Sequence, residues 1–184
     1  MVKLLYSAGM SLDGFHRRPG RGHVVAHAVH GPRPGARRPR GADRSPSRGT
    51  ADLDRRRPPN RGTDKEGAFS GTWTGPQVVL TRHKPEGLPA EPGVTYSDDV
   101  LEAIDLAKAG AGDSEYVSIL GAGAARSCWE AGALDEVLVS IAPIMLGDGV
   151  RLFDLPGGGH VRLERLSASH GPVGTTLWFR VLPD

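Results

Sequence analysis

Small residues follow a strand-like run in the second half of the chain and begin the helix-like run after it. Leu120–Ala125 reads LGAGAA, between EYVSI and RSCWEAG. Small residues allow a backbone to approach a ligand closely, and the N-terminus of a helix presents free N–H groups to an anion. The pattern predicts a site for an anionic ligand, and a tight turn without a ligand is the alternative.

A second turn follows the first strand-like run of the chain. Ser11–Gly14 reads SLDG and comes after the apolar run of Lys3–Gly9. The carboxylate of Asp13 has the chemistry to orient a substrate, and an aspartate at this place also favours helix capping or a turn. The sequence alone leaves both roles open for Asp13.

Histidine and cysteine residues elsewhere have surroundings that argue against a reactive site. His23, His27 and His30 have the spacing of one helix face, but the glycines and prolines around them disfavour a helix. We therefore predict no metal site. Cys128 is the single cysteine, which excludes an internal disulfide and fits a reducing compartment. Its place in a helix-like run predicts a buried or half-buried thiol rather than a nucleophile.

The elements that position these residues alternate between strands and helices. The run SDDVLEAIDLAKAGAG predicts a helix that Ser97 or Asp98 caps and that Gly110 and Gly112 end. A short helix follows LGAGAA, and the last two strand-like runs, HVRLERLSAS and TTLWFRVL, form an antiparallel pair. We predict an α/β fold with a mostly parallel central sheet, flanking helices and a C-terminal antiparallel hairpin.

Residues 16–59 break this pattern. They hold 12 arginines, three aspartates and four of the seven histidines, and they contain no Lys, Glu, Ile, Phe, Tyr, Trp or Met. Such a segment cannot bury enough surface to offset its ordering entropy, so we predict that it is irregular or disordered. The arginines lack interleaved aromatic residues, and the rest of the chain is acidic. We therefore expect no specific nucleic-acid partner.

Three stretches carry a resemblance to a known family. They are YSAGMSLDGF, YVSILGAGAARSCWEAGALDEVLVSIAPIMLGDGVRLF and LERLSASHGPVGTTLWFRV. Together they resemble the dihydrofolate-reductase-like family, which includes the C-terminal reductase domain of the bacterial bifunctional deaminase-reductase of riboflavin biosynthesis. The resemblance covers residues 1–15 and 60–184, and its most specific part is the order of SLDG, LDEV and P-x-x-L-G-x-G-x-x-L-F.

The resemblance implies an NADPH-dependent reductase of a small heterocyclic or carbonyl/imine compound, acting as a homodimer. It implies that the cofactor is bound by Ala8, Gly9, Leu120, Gly121, Ala122, Gly123, Ala124 and Ala125. It implies that the substrate is bound by Ser11, Asp13, Asn60 and Thr63, with Asp13 as the candidate catalytic residue. The riboflavin enzyme has a glutamate before its glycine turn, where this chain has Ile119 and Leu120. That departure argues against a phosphoribosylamino-pyrimidine as the substrate. A non-catalytic nucleotide- or small-ligand-binding module of the same fold is the alternative.

The family segment that follows SLDGF is missing from the chain. Relatives continue with Ile-Ala-Gly-Pro, a helix, and a strand with Gly-Arg-Arg-Thr that helps to hold the phosphate end of NADPH. Codons for HRRPG, RGTADL and RRRPP, read one base out of phase, permit Ile-Ala-Gly-Pro, Val-Gly-Arg-Arg-Thr and Gly-Asp-Asp-Pro. We therefore hypothesise that residues 16–59 are an out-of-frame translation inside one domain spanning 1–184. A natural disordered insertion is the alternative. With this segment altered, we expect weak or no NADPH binding and a partly destabilised fold.

Membrane and export signals are absent from the sequence. No apolar run approaches the roughly 20 residues that a membrane-spanning helix needs. The stretch MVKLLYSAGM has one charge and is too short for a signal peptide. We therefore expect a cytoplasmic protein with no membrane partner.

Overall fold

The computed structural model describes residues 1–16, 24–29, 75–82, 92–155, 157–172 and 174–183, with only the backbone of 24–29. Backbone contacts divide the chain into Met1–Gly31 with Gly75–Asp184, and Pro32–Thr74. The second part lies outside the described residues. Every element below belongs to the first part.

The described residues include ten strands and two helices. In chain order they are β1 Lys3–Ser11, β2 Phe15–His16, β3 Val24–Val29, β4 Gln77–Leu80, β5 Val94–Ser97, α1 Val100–Gly110, β6 Tyr116–Leu120, α2 Ala122–Glu130, β7 Glu136–Ala142, β8 Val150–Arg151, β9 Leu163–Gly171 and β10 Gly174–Val181. Neither helix is long and apolar enough to cross a membrane.

Eight of these strands form one sheet in the order β5-β4-β3-β6-β1-β7-β10-β9, and β2 pairs with β8 separately. β1 lies parallel to both β6 and β7, and β4 lies parallel to β5. The other four pairings are antiparallel, including the β9–β10 hairpin. The predicted α/β fold with a C-terminal antiparallel hairpin is confirmed. The parallel part is the centre around β1, and β3 makes the sheet more mixed than we predicted.

β3 lies within the segment that we predicted to be irregular, so that prediction does not hold for 24–29. The strand reads VVAHAV, and its β-branched valines favour extended backbone. It pairs antiparallel on both sides, with Val25 opposite both Leu120 and Val79. A strand between two neighbours gives its N–H and C=O groups partners, which outweighs the lack of apolar periodicity. The segment's other residues lie outside the described part, except His16 in β2.

Helix α1 begins one or two residues later than the two predicted caps imply, and it ends at Gly110, the first of the two glycines predicted to stop it. Its N-cap is Asp99, whose carboxylate accepts a hydrogen bond from the backbone N–H of Glu102 at 2.8 Å. Ser97, one of the two predicted caps, supports this turn because its Oγ accepts the N–H of Asp99 at 3.1 Å. The helix buries Ala103, Ile104 and Ala107.

The main core lies between the sheet and the two helices. Alternate residues of β1, Leu4 and Tyr6, pack into one cluster with Ile104 of α1 and with Ala125 and Cys128 of α2. Cys128 is buried, as we predicted, and burial raises the pKa of its thiol to about 11. Burial likewise raises the pKa of Tyr6 to about 12.

The LDEV motif lies at the amino end of β7 and has a structural role. Asp135 accepts the N–H of Leu4 at 2.8 Å through its side chain. Glu136 is 1% exposed, and its carboxylate accepts from Lys3 Nζ at 2.8 Å and from Trp178 Nε1 at 2.7 Å. The buried carboxylate thus has a partner on each oxygen, as a buried charge requires.

Candidate active site at the carboxyl ends of the central strands

The carboxyl ends of β6, β1 and β7 meet at one edge of the sheet. These strands are neighbours and run parallel, and the chain crosses from β6 to β7 through α2. In open α/β sheets, ligands bind in the crevice outside the carboxyl ends of the strands. This edge is therefore the place to examine for a site.

A cleft of about 680 Å³ opens at this edge beside β1, β7 and the start of β10. This volume lies within the range of small-molecule sites. The lining residues are Gly9, Met10, Ser11, Phe15, His16, Ser140, Ile141, Ala142, Ile144, Leu146, Gly174, Thr175 and Thr176.

Neighbouring strands place two hydroxyl groups side by side on the cleft wall. Strand register sets Gly9 opposite Ser140, and Ser140 opposite Thr176. Ser140 Oγ and Thr176 Oγ1 are 3.2 Å apart and form an exposed hydrogen bond. A hydroxyl both donates and accepts, so this pair can recognise the polar edge of a ring compound. The apolar side chains of Ile144 and Leu146 can contact the faces of such a ring.

Asp13 stands beside the cleft rather than in its lining. One carboxylate oxygen accepts from Ser11 Oγ at 2.5 Å and from the N–H of Leu146 at 3.1 Å, and the other accepts from the N–H of Gly147 at 2.7 Å. The hydrogen bond from Ser11, followed by those from Gly147 and Leu146, lowers the pKa of Asp13 to about 2. The group is ionised near neutral pH and does not donate a proton in this arrangement. The catalytic role stays a prediction.

The predicted cofactor residues of β1 point in different directions. Gly9 lines the cleft, whereas Ala8 packs against the core on the helix side of the sheet. Ser11, a predicted substrate ligand, lines the cleft but is 1% exposed. Its Oγ is occupied by Asp13 and by the N–H of Phe15 at 3.1 Å. Among these three residues, Gly9 offers the freest approach to a ligand.

The glycine turn joins β6 to α2 as the sequence predicted. Gly121 is the N-cap of α2, with φ 95° and ψ 135°, a conformation that essentially requires glycine. No side chain caps the helix, and Ala122 and Gly123 reach the surface while Ala124 and Ala125 lie in the core. The free N–H groups of this first turn therefore suit an anionic group. Leu120 is the last residue of β6, directly before this turn.

Some predicted residues lie outside the part that the structure describes. Asn60 and Thr63 are among them, as are the side chains of His23, His27 and His30. Within the described ranges, no group of three or more histidine, cysteine or acidic side chains could hold a metal ion.

Sequence reasoning missed most of the cleft wall. Ser140 and Thr176 lie 36 positions apart, and only the strand register brings them together. It also missed His16, which lines the cleft with its Nε2 buried and, in the described part of the chain, without a hydrogen-bond partner. His16 belongs to the segment that we hypothesise to be out of frame, so no role is assigned to it.

Comparison with known families finds one match, which lies in the second half of the chain. The family model described as the RibD C-terminal domain matches residues 100–177, which span α1, the glycine turn, LDEV and the first half of β10. The resemblance to the RibD reductase domain is confirmed. A search of curated proteins found no match.

One solved structure shares the fold of this chain. Riboflavin biosynthesis reductase Rib7 of Saccharomyces cerevisiae aligns over 99% of this chain and 89% of its own, with a TM-score of 0.54 and 16% identity. That likeness shows a common fold.

Two further structures align over shorter stretches. A putative riboflavin biosynthesis protein of Shewanella sp. PV-4 aligns over 58% of this chain and 59% of its own, with 19% identity and a TM-score of 0.44. A pyrimidine reductase-like protein of Corynebacterium diphtheriae aligns over 50% and 39%, with 20% identity and a TM-score of 0.40. The chain therefore spans less than two thirds of the length of either protein.

Proposed function

We propose that this chain is an NADPH-dependent reductase of the riboflavin-biosynthesis type, acting on a small heterocyclic or carbonyl/imine compound. The observation that carries the proposal is the match of residues 100–177 to the RibD C-terminal domain, with a cleft at the carboxyl ends of its central strands. Rib7 of Saccharomyces cerevisiae, which shares the fold, is a riboflavin biosynthesis reductase.

We expect cofactor and acceptor to bind at two adjoining places where the central strands end. The first turn of α2 would hold a phosphate of NADPH through backbone N–H groups, and Gly9 would let the nicotinamide approach β1. NADPH supplies the hydride when it is bound. Ser140 and Thr176 would orient the acceptor by hydrogen bonds, and the apolar wall would exclude water.

Two measurements on the purified chain test the proposal. The first is a titration with NADPH, and the second is the rate of NADPH oxidation with a panel of heterocycles and cyclic imines. Because residues 16–59 replace the family's phosphate-binding strand, we expect weak binding and slow turnover. A chain carrying the in-frame reading of this segment should bind at least about tenfold more tightly, a difference of about 1.4 kcal/mol. Failure of the repaired chain to oxidise NADPH with any acceptor would contradict the proposal. Binding without turnover would favour the ligand-binding module.

We also propose that the protein is a cytoplasmic homodimer. β9 is an edge strand of the sheet, and all nine of its residues are exposed, among them Leu163 and Leu166. An exposed edge strand offers unpaired backbone groups to a second copy. Sedimentation equilibrium should give twice the mass of the chain, and a monomer at all concentrations would contradict this.

A further inference from the structure

The carboxylate of Asp13 joins two segments that are distant in sequence. It accepts the N–H groups of Leu146 and Gly147, which lie more than 130 residues later in the chain. It also accepts from Ser11 Oγ. A hydroxyl has a single proton, so Ser11 Oγ donates to the charged carboxylate and accepts the N–H of Phe15. Hydrogen bonds to an ionised acceptor are the stronger kind.

Backbone hydrogen bonds join the same two segments on either side of this carboxylate. The N–H of Leu12 donates to the carbonyl of Ile144 at 2.8 Å. Further along, the N–H of Leu152 donates to the carbonyl of Gly14 at 3.1 Å, and β2 pairs with β8. Between these ties, the amides of residues 146 and 147 both point to Asp13. One side chain therefore holds the middle of the later segment.

That segment is a wall of the cleft. Ile144 and Leu146 line it, and Phe15 lines it from the earlier segment. Asp13 does not belong to the lining, so any influence that it has on a bound molecule passes through the residues it holds. This placement distinguishes it from a residue that touches the reacting atoms.

We propose that Asp13 is a positioning residue, which fixes residues 144–147 as the wall of the cleft and thereby sets substrate affinity rather than the rate of the chemical step. The inference rests on the proposed function, because it takes this cleft to be the substrate site. It differs from a catalytic role for Asp13 in a measurable way.

Hydrogen exchange of the free protein tests the positioning without any substrate. In Asp13→Ala, the amides of Leu146 and Gly147 should exchange at least about tenfold faster, because each loses a charged acceptor. Asp13→Asn keeps the size of the side chain and one acceptor oxygen, so its exchange should be intermediate. The matched control is Asp148→Asn on the same loop, because within the described residues the Asp148 carboxylate accepts only the adjacent N–H of Gly149. Unchanged exchange in both Asp13 variants would overturn the proposal.

Kinetics then separate positioning from catalysis. Asp13→Asn should raise KM for the acceptor by about tenfold with kcat within about threefold of the parent, since only binding geometry is lost. Asp148→Asn should leave both constants unchanged. A fall in kcat with KM unchanged would overturn the proposal and make Asp13 catalytic. If the chain with the in-frame reading of residues 16–59 has no reductase activity, the proposed function fails, while the exchange result still decides whether Asp13 holds the wall.

Discussion

The two ends of β1 and β7 differ in how their polar groups are used. At the amino end, the carboxylate of Glu136 is buried and bonded to both Lys3 and Trp178. At the carboxyl end, the same two strands present Gly9 and the exposed hydroxyl of Ser140 to an open cleft. The polar groups of the amino end are therefore buried and satisfied within the protein, whereas the carboxyl end leaves the Ser140 hydroxyl exposed where a ligand can reach it.

This difference separates the motifs that carry the family resemblance by their task. LDEV lies at the amino end of these strands, which we call the closed end, and there Asp135 and Glu136 tie β7 to β1 and β10. SLDG and LGAGAA lie at the carboxyl end, which we call the open end. SLDG is beside the cleft, and LGAGAA is at the uncapped start of α2. Substitutions at the amino end should change stability with little effect on ligand binding. Substitutions at the carboxyl end should affect binding more.

The largest expected effect is on stability at the closed end. Glu136→Ala removes a buried carboxylate and leaves Trp178 Nε1 without an acceptor in the core. The loss should be about 3 kcal/mol in the free energy of unfolding, measured by urea denaturation. The matched control is Glu164→Ala, whose ion pair with Arg180 at 2.7 Å has both side chains about half exposed. That change should cost less than about 1 kcal/mol. Equal losses for the two variants would contradict the prediction that the buried carboxylate of Glu136 stabilises the fold more than the exposed one of Glu164.

The second largest loss of stability is expected from a substitution of Gly174 at the open end. Gly174 begins β10 with φ +146°, and a Cβ added there would lie 2.3 Å from the carbonyl oxygen of Ile141. Gly174→Ala should therefore push β10 away from β7, at a cost of about 2 kcal/mol, and weaken substrate binding in the cleft. Gly171→Ala, across the same hairpin, meets no atom within 4 Å and should change stability by less than about 0.5 kcal/mol. Thermal unfolding of the pair provides the comparison, and a stable Gly174→Ala chain with unchanged binding would refute the prediction.

The third prediction compares glycines at the two ends of α2, of which only the first lies at the open end of the sheet. Gly121→Ala forces a side chain into φ 95° at the start of α2, and Gly132→Ala forces one into φ 67° just after its end. Both should cost about 1–2 kcal/mol of stability. Only Gly121→Ala lies at the proposed phosphate site, so it alone should reduce NADPH affinity, by about tenfold. An equal loss of affinity in both variants, measured by fluorescence titration, would indicate a general loss of structure instead.

Local pattern was enough to predict much of the fold. The apolar runs predicted β1, β6 and β7, because buried strands need continuous or alternating apolar residues. The small residues of LGAGAA predicted the turn into α2, since a positive φ such as that of Gly121 requires glycine. The prediction of a buried or half-buried thiol at Cys128 is confirmed, because Cys128 lies on the apolar face of that helix.

Contacts between distant residues were beyond local pattern. β3 has no clear apolar period, and its pairing with β4 and β6 is a property of the sheet as a whole. Asp13 was predicted as a candidate catalytic residue, but its partners at Leu146 and Gly147 become visible only when the two segments are brought together. The hydroxyl pair in the cleft depends in the same way on register, which the sequence does not reveal.

The smallest effect concerns the covered face of the sheet and appears at alkaline pH. Burial raises the pKa of Cys128 from 9.0 to about 11, so the folded state favours the protonated thiol. Stability from this group is complete below pH 9.0, the unfolded value, and is lost as the pH rises toward about 11. Between about pH 8 and about pH 10 the parent should lose about 1 kcal/mol of stability through Cys128. Cys128→Ala should lose less over the same interval, although its stability at the lower pH is also reduced by the missing sulfur. Tyr6 adds the same trend at higher pH, because its pKa is raised to about 12. An identical pH dependence for the two chains in urea denaturation would show that the thiol ionises freely and that the core around α2 admits water.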